Sequence, residues 1–298
     1  MQDIGSGIRT ALAQVVAEEL GLKPTDITIK IGDTSFPNGP GSGGSVTTNS
    51  ITPAARNAAY EVKQKLLAEV APKLGAKPED LVLADGKVSV KSDPSKSISF
   101  KKACSQLSTE QIASRAQRAE DYPMPNSGNG DRRNRRRSPE GQLGGVQFVQ
   151  VAVDTETGHI KVEKVVAVHD CGRPINPMGV QSQVNGGVIQ GISYALLENR
   201  ILDRNTGVMV NPNLEQYKIV GSVDTPQIEP ILIEQYWGRS STDAAGIGEP
   251  ATVPTAAAVA NAVYNAIGVR IRKMPMTPAV VLEALAQAKQ QPQQAKGA

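Results

Sequence analysis

Residues 149–168 read VQVAVDTETGHIKVEKVVAV and carry the clearest strand signal in the chain. Apolar residues alternate from Val149 to Val153, a second apolar-rich run extends from Ile160 to Val168, and Thr157-Gly158 lies between them. A period of two places every second side chain on one face of a strand, and glycine lets the chain turn back. The stretch therefore predicts a β-hairpin.

Other strand and hairpin signals are shorter. Leu81 to Val90 alternates around Asp85-Gly86, a dipeptide that favours a type I′ hairpin turn. Ile27 to Ile31 and Ile231 to Tyr236 are each predicted to form a strand.

Helical signals lie in both halves of the chain. Ile8 to Leu20 places its apolar residues on one helical face and is followed by Gly21. Four more helices are predicted at about Pro53 to Leu74, Gly179 to Leu197, Thr255 to Ile267 and Thr277 to Ala288. The mixture predicts an α+β fold, with a mixed α/β arrangement as the alternative.

The 298 residues permit two domains of ordinary size. Residues 122–142 are polar and rich in Pro, Gly and Arg, which predicts a long exposed loop at the boundary. We therefore predict a first part at 1–145, a second part at 146–288 and a disordered tail at 289–298.

The composition excludes few kinds of protein. A net charge of +3 is small for this length and does not predict a polyanionic partner. Cys104 and Cys171 alone make no disulfide framework and favour a reducing compartment. No apolar run is long enough for a membrane span, and the N-terminus is unlike a signal peptide. We expect a cytoplasmic protein, with the periplasm as the alternative if a partner carries an export signal.

The densest charge run is at Arg132–Arg137. Such a run could bind nucleic acid, but it has no aromatic neighbours and the whole chain is nearly neutral. A solvated loop or a subunit contact fits better. His159 and His169 are the only histidines, and no second ligand pair stands at finger spacing, so we expect no protein-ligated metal cluster.

Two glycine-rich loops precede predicted helices. Gly5-Ser6-Gly7 leads into the first helix, where free backbone N–H groups could bind an anion, although a plain tight turn would look the same. Gly41 to Ser45 could present several N–H and O–H donors to one anion, or could be a flexible linker.

Glutamines and glycines share one predicted helix. Gln183 and Gln190 lie near Gly186, Gly187 and Gly191. Adjacent glycines are costly in a helix and suggest close packing against a backbone or a planar ligand. A side-chain amide could hydrogen-bond the edge of a heterocycle, whereas ordinary helix packing with solvated glutamines is the common alternative.

Gly246-Ile247-Gly248-Glu249-Pro250 comes just before the alanine-rich helix. Pro and an acid at this place suit a helix start, because Pro tolerates the first turn and the acid complements the dipole. The functional interpretation is that Glu249 is a general base on a glycine-lined loop within reach of a substrate.

Five motifs, taken together, resemble the xanthine dehydrogenase/aldehyde oxidase family. They are Gln2–Thr10 (QDIGSGIRT), Gly41–Ser45 (GSGGS), Asp170–Pro177 (DCGRPINP), Gln183–Gly191 (QVNGGVIQG) and Gly246–Pro250 (GIGEP). Their order and spacing are similar to the C-terminal half of the molybdopterin-binding subunit of that family. The resemblance spans about Gln2 to Leu285.

This resemblance implies the mixed-sheet α+β fold of molybdenum-cofactor-binding domains. It also implies a molybdenum–molybdopterin cofactor, in the cytosine dinucleotide form common in bacteria, whose pterin dithiolene holds the metal without a protein ligand. The implied cofactor-binding residues are Gly5, Ser6, Gly7, Gly43, Gly44, Ser45, Gln183, Ala245, Gly246, Ile247 and Gly248.

By the same resemblance, Glu249 is the catalytic base in the hydroxylation of an aldehyde or an aromatic N-heterocycle. Water is the oxygen source, and the cofactor does the redox work. Electrons leave through an iron–sulfur subunit, with an FAD subunit as a further partner. Two departures accompany these expectations: Ser6 stands where some members have Gln, and the family's N-terminal half, with its Gly-Gly-x-Phe-Gly stretch, lies outside the resemblance. The alternative is a truncated fragment that folds or assembles without cofactor and without activity.

Overall fold

The computed structural model describes residues 1–118, 144–234 and 240–294. The chain divides into two compact units, each discontinuous in sequence. Unit 1 comprises Met1–Gln142, Cys171–Gly179 and Glu234–Gly246, and unit 2 comprises Leu143–Asp170, Val180–Ile233 and Ile247–Ala298. The sequence patterns predict two consecutive parts instead. The second half returns to unit 1 because residues 171–173 pair with residues 243–245, through a bridge between Gly172 and Ala244.

Two helices pack together in unit 1. Helix α1 spans Ile8–Glu19, as predicted, and Gly7 precedes it with a φ of 82°. Helix α2 spans Thr47–Leu74 and begins about six residues earlier than predicted, so that Pro53 lies inside the helix rather than at its start.

A small antiparallel sheet completes this unit. Strands β1 (Leu81–Ala84), β2 (Lys87–Val90) and β3 (Asp93–Ser99) lie in that order, followed by the short helix α3 (Phe100–Cys104). Asp85 and Gly86 both have positive φ, at 49° and 69°, as a type I′ turn requires. The hairpin prediction is therefore confirmed. The main core of the unit is a cluster of buried residues that includes Leu66, Val70, Leu81 and Val88.

The strand predicted at Ile27–Ile31 is wrong, since this segment joins no sheet in the described part of the chain. Its alternation reflects burial rather than strand pairing: Ile29 and Ile31 pack on the apolar cluster of Ile8 and Leu12. The carbonyls of Ile29 and Ile31 accept hydrogen bonds from the Arg9 guanidinium at 3.2 and 3.4 Å. A side chain therefore satisfies backbone groups that a neighbouring strand would otherwise bind.

Unit 2 contains a mixed three-stranded sheet. Strands β4 (Gly144–Val153) and β5 (Ile160–Asp170) form the predicted hairpin, with Gly158 at a φ of 76°. Strand β6 (Gln227–Ile233) lies parallel to β5, with Lys164 opposite Gln227. It begins four residues before the predicted strand at Ile231–Tyr236, because its pairing with β5 already starts at Gln227. The end of that prediction falls at 235–239, outside the described residues.

Three helices complete unit 2. They are α4 (Pro177–Leu196, its first three residues in unit 1), α5 (Thr255–Ile267) and α6 (Pro278–Gln294). Helices α4 and α5 confirm the predicted ranges to within two residues. Helix α6 continues to Gln294, and the disordered tail predicted from residue 289 stays a prediction. Residues 295–298 lie outside the described part.

The architecture is α+β with one antiparallel and one mixed sheet, which confirms the predicted fold class. The predicted loop at 122–142 and the run Arg132–Arg137 lie outside the described residues. Among the helices described, none is long and apolar enough to cross a membrane.

Candidate active site

The predicted site residues fall on both units. Unit 1 holds Gly5, Ser6, Gly7, Gly43, Gly44, Ser45, Ala245 and Gly246, and unit 2 holds Gln183, Ile247, Gly248 and Glu249.

The turn before α1 is built on glycines in left-handed backbone conformations. Gly5 has a φ of 83° and Gly7 of 82°, a region that glycine enters without a steric cost. The Gly5 N–H donates to Asp3 Oδ1 at 3.1 Å, and Arg9 pairs with the same carboxylate at 2.8 Å. These two contacts hold the pKa of Asp3 below its ordinary value, the backbone hydrogen bond first.

The first turn of α1 contains no acidic residue. Its leading N–H groups have no partner within the helix and make the N-terminus electropositive. This end of the helix is therefore suited to an anionic ligand.

The loop Gly41–Ser45 is also held in a defined conformation. Gly44 and Ser45 have φ values of 69° and 55°, and such consecutive left-handed residues curve the backbone. The Ser42 hydroxyl donates to the side-chain oxygen of Gln2 at 3.1 Å, and the Thr47 hydroxyl donates to the Gly41 carbonyl at 3.0 Å. The contact with Gln2 brings this loop beside the segment that leads into Gly5-Ser6-Gly7.

Gly246 lies directly against the same loop. A Cβ placed on Gly246 would overlap the Ser45 carbonyl oxygen and would lie 2.6 Å from the Ser45 carbonyl carbon. Only glycine fits at this position. Two predicted motifs far apart in sequence, Gly41–Ser45 and the start of Gly246–Pro250, therefore meet in unit 1.

The segment before Gly246 is fixed by backbone and side-chain contacts. The Ala245 N–H donates to the Cys171 carbonyl at 2.9 Å, and the Arg173 N–H donates to the Asp243 carbonyl at 3.0 Å. The buried hydroxyl of Thr242 lies 2.9 Å from that of Thr52 on α2. These contacts set the path of residues 242–245 and hence the close approach at Gly246.

In unit 2, Glu249 is exposed on a turn that leads into α5. Its carbonyl accepts a hydrogen bond from the Thr252 N–H at 3.0 Å. Two residues after Glu249 the chain is fully buried at Ala251. The turn therefore presents a carboxylate at the surface while its far side is anchored in the interior.

The glycines of α4 supply part of that anchoring. A Cβ on Gly187 would lie 2.6 Å from Ala251 Cβ, and a Cβ on Gly191 would lie even closer to Thr255 Cβ. Gly186, in contrast, has no atom within 4 Å of such a Cβ. The prediction of close packing is confirmed for Gly187, whereas the space beside Gly186 is open.

Two glutamines of α4 differ in their surroundings. Gln190 accepts a hydrogen bond from the Thr252 hydroxyl at 3.1 Å, which ties the turn after Glu249 to the helix. Gln183 is half-buried on the same helix, one turn before Gly187. Its predicted contact with the cofactor stays a prediction.

A buried polar cluster that the sequence motifs did not indicate lies beneath this turn and is formed by Gln147, His169 and Thr255. Gln147 stands at an inward position of β4, between the exposed Val146 and Phe148. A polar residue at an inward position of an otherwise apolar strand was the available signal, since buried polar groups require partners.

The donor set fits an extended anionic ligand that approaches the backbone closely. No heavy atom lies within 4 Å of a Cβ placed on Gly5 or on Gly43, so both loops leave space beside the main chain. The electropositive start of α1 adds N–H donors next to Gly7. In the part of the chain that the structure describes, no three His, Cys, Asp or Glu side chains cluster as a metal site.

Comparison with known proteins agrees with this geometry. A family model described as the molybdopterin cofactor-binding domain matches residues 1–226. The aldehyde oxidoreductase molybdenum-binding subunit PaoC of Escherichia coli (strain K12) is 32% identical over 286 residues, which is 96% of this chain and 36% of that protein.

Solved structures show the same fold. Quinoline 2-oxidoreductase from Pseudomonas putida 86 matches with a TM-score of 0.78 and 26% identity, over 96% of this chain and 36% of that one. Reconstituted CO dehydrogenase from Oligotropha carboxidovorans matches with a TM-score of 0.79 and 25% identity, over 96% and 35%. The chain thus spans about a third of the length of the relatives it matches. The resemblance predicted from the sequence motifs is confirmed, and the chain belongs to the family of molybdopterin cofactor-binding domains of the xanthine dehydrogenase/aldehyde oxidase type.

Proposed function

We propose that this chain is the cofactor-binding and base-carrying portion of a molybdenum hydroxylase catalytic subunit. The observation that carries the proposal is the packing of Gly246 on Ser45, which joins the loop leading to Glu249 with the Gly41–Ser45 loop. A catalytic base has to lie within reach of the reacting atoms, and therefore close to the bound cofactor. If the two motifs lay apart in the fold, position 246 would accept a larger residue than glycine.

Within unit 1, the proposed cofactor contacts are the backbone of Gly5-Ser6-Gly7 and of Gly43-Gly44-Ser45, together with Ala245 and Gly246. The open space at Gly5 and Gly43 supports them, because a phosphate or a pterin edge can approach a main chain that lacks side chains. Gln183, Ile247 and Gly248 in unit 2 are the remaining proposed contacts.

When bound, the molybdenum cofactor would supply the two-electron redox chemistry of hydroxylation. Glu249 would accept a proton at its carboxylate from the water-derived oxygen that attacks an electron-poor substrate carbon. Its exposed position on a turn with a buried anchor supports this role, since a base needs both access to the substrate and a fixed position.

We propose the cytosine dinucleotide form of the cofactor. We also propose an iron–sulfur subunit and an FAD-binding subunit as partners. The name of PaoC as a molybdenum-binding subunit supports an assembly of several chains. A cytoplasmic location, with the periplasm as the alternative, stays a prediction.

Metal and nucleotide analysis tests the cofactor assignment. The chain is purified from cells that make the cofactor, and its molybdenum and the cytidine nucleotide released by acid are quantified. Both should be present in near-stoichiometric amounts. Gly43→Ala should reduce both, while its fold should be unchanged because no atom lies near the added methyl group. Nucleotide other than cytidine would contradict the proposed form of the cofactor.

Replacement of Glu249 tests the base assignment. In an assembly that contains cofactor, Glu249→Gln should leave molybdenum content unchanged and lower kcat by at least about 100-fold, the lower range for loss of general-base catalysis. Near-normal turnover of this variant would refute the assignment.

The proposed substrate is an aldehyde or an aromatic N-heterocycle. PaoC is named as an aldehyde oxidoreductase, and the matched Pseudomonas putida 86 enzyme as a quinoline oxidoreductase. Benzaldehyde and quinoline, each assayed with an artificial electron acceptor, separate the two classes.

The small share of the relatives' length that this chain spans favours a second candidate function. Because the chain spans about a third of its relatives, a fragment that folds or assembles without cofactor is the alternative. Folded protein that contains neither molybdenum nor cytidine nucleotide, even when its partner chains are co-produced, would establish this alternative.

A further inference from the structure

A buried polar cluster lies beneath the turn that carries Glu249. Gln147 on β4 is 7% exposed, His169 on β5 is 1% exposed, and Thr255 at the start of α5 is fully buried. All three belong to unit 2. Polar groups at such depth are costly unless they are hydrogen-bonded to one another, so their arrangement is constrained.

The contacts of Gln147 determine the orientation of its amide. Its Nε2 donates to the Ala251 carbonyl at 2.8 Å, and its Oε1 accepts from the Thr255 hydroxyl at 2.6 Å. A backbone carbonyl can only accept, so the nitrogen of the amide has to face Ala251. The opposite orientation would place two oxygens against each other.

This orientation in turn defines the protonation of His169. The second N–H of the Gln147 amide points to His169 Nε2 at 3.2 Å. Because it faces a donor, Nε2 has to be an acceptor, which leaves the proton of a neutral ring on Nδ1. Burial lowers the pKa of His169, in agreement with a neutral ring.

The cluster is connected to Glu249 through a single short turn. Ala251 is fully buried, and its carbonyl accepts from the Gln147 amide at 2.8 Å. The Thr255 oxygen lies 3.2 Å from the same carbonyl, but its single proton goes to the nearer Gln147 Oε1. The next residue, Thr252, donates its N–H to the Glu249 carbonyl. The amide of Gln147 therefore links the sheet directly to the turn from which the carboxylate projects.

We propose that Gln147, held by His169 and Thr255, is the positioning residue that fixes the Glu249 turn. The link to catalysis rests on the proposed function of Glu249, whereas the positioning itself is a property of this chain. Without the amide, the Thr255 hydroxyl is the one described side chain within hydrogen-bonding distance of the Ala251 carbonyl. The turn would then lose its connection to β4.

Gln147→Met tests the positioning, since it keeps the length of the side chain and removes both amide contacts. Gln150→Met is the matched control: Gln150 lies on the same strand, is exposed, and donates to Glu163 at 2.8 Å. Hydrogen exchange of residues 251–255 in the full chain should be about 10-fold faster in Gln147→Met than in wild type, the size expected for one buried hydrogen bond. Gln150→Met should exchange like wild type.

A general loss of stability would look different. It would accelerate exchange throughout β5 and α4, whereas the proposal requires the change to concentrate in residues 251–255. Unchanged exchange there in Gln147→Met, or an equal increase across all of unit 2, would overturn the positioning role.

Nitrogen NMR of His169 in the wild-type chain gives a second measurement that does not depend on the folding of a variant. The Nε2 resonance should be that of an unprotonated ring nitrogen, and the Nδ1 resonance that of a protonated one. Protonated Nε2 at neutral pH would contradict the network and overturn the proposal.

Turnover separates this inference from the proposed function. In cofactor-containing enzyme, Gln147→Met should lower kcat about 10-fold and leave KM unchanged, because the substrate still binds while the base is less often in place. If Glu249→Gln retains turnover, the proposed function fails and the exchange result still stands. If Gln147→Met exchanges like wild type while Glu249→Gln loses turnover, the positioning role of Gln147 is refuted and the base assignment stands.

Discussion

Replacement of Gly246 by alanine should destabilise unit 1 strongly. The added Cβ would overlap the Ser45 carbonyl oxygen and lie 2.6 Å from the Ser45 carbonyl carbon. Ordinary carbon–carbon contacts begin near 3.5 Å, so the contact with the carbonyl carbon alone requires one segment to move by about 1 Å, and the overlap with the oxygen requires more. Neither segment moves easily, because Ser45 is held at a φ of 55° and Ala245 donates to the Cys171 carbonyl.

We expect Gly246→Ala to lower the free energy of unfolding by about 3 kcal/mol, at the upper end of the usual cost of overpacking. For a domain of this size, that corresponds to a decrease in Tm of roughly 6–12 °C. Urea denaturation followed by circular dichroism, together with a thermal melt, measures both quantities.

Gly43→Ala is the matched control, because Gly43 lies in the loop that Gly246 contacts but has no atom within 4 Å of an added Cβ. It should change stability by less than about 0.5 kcal/mol, as is usual for a substitution without new contacts. If Gly246→Ala and Gly43→Ala are equally stable, the close approach of Gly246 to Ser45 does not exist in solution, and the observation that supports the proposed function is removed.

Two further predictions concern unit 2. On α4, Gly187→Ala should lower the free energy of unfolding by about 1–3 kcal/mol, because the added Cβ would meet Ala251. Gly186→Ala should raise the free energy of unfolding by about 0.5–1 kcal/mol through helix propensity alone. Chemical denaturation compares the two variants, and equal effects would contradict the packing of Gly187 on Ala251. Because burial lowers the pKa of His169, the unfolded chain binds its proton more readily than the folded chain does, and stability falls as pH decreases below the ordinary histidine pKa of 6.5. The stability contribution of neutral His169 is therefore complete above that pH and is lost below it. The difference in unfolding free energy between wild type and His169→Gln, measured from pH 7.5 to 5, should shrink as the pH falls, and a constant difference would contradict the assignment.

Local signals predicted most of the secondary structure because they depend on neighbouring residues alone. Asp85-Gly86 favours a type I′ turn by its own backbone preferences, and the apolar spacing of Thr255 to Ile267 is a property of the helix itself. The alternation at Ile27–Ile31 led to a wrong strand prediction because it is also a local signal. It reports which side chains are buried, and the hydrogen bonds from Arg9 to two of its carbonyls depend on a contact that alternation does not encode.

Only the tertiary structure decided how the motifs relate to one another. The sequence by itself determined the α+β class, the glycine-rich loops before helices and the identity of Glu249 as an acid ahead of α5. It did not determine that Gly246 packs on Ser45, that Gly187 and not Gly186 packs on Ala251, or that Gln147 supports the turn after Glu249. These contacts join residues distant in the chain, and long-range packing depends on the fold as a whole rather than on local preference.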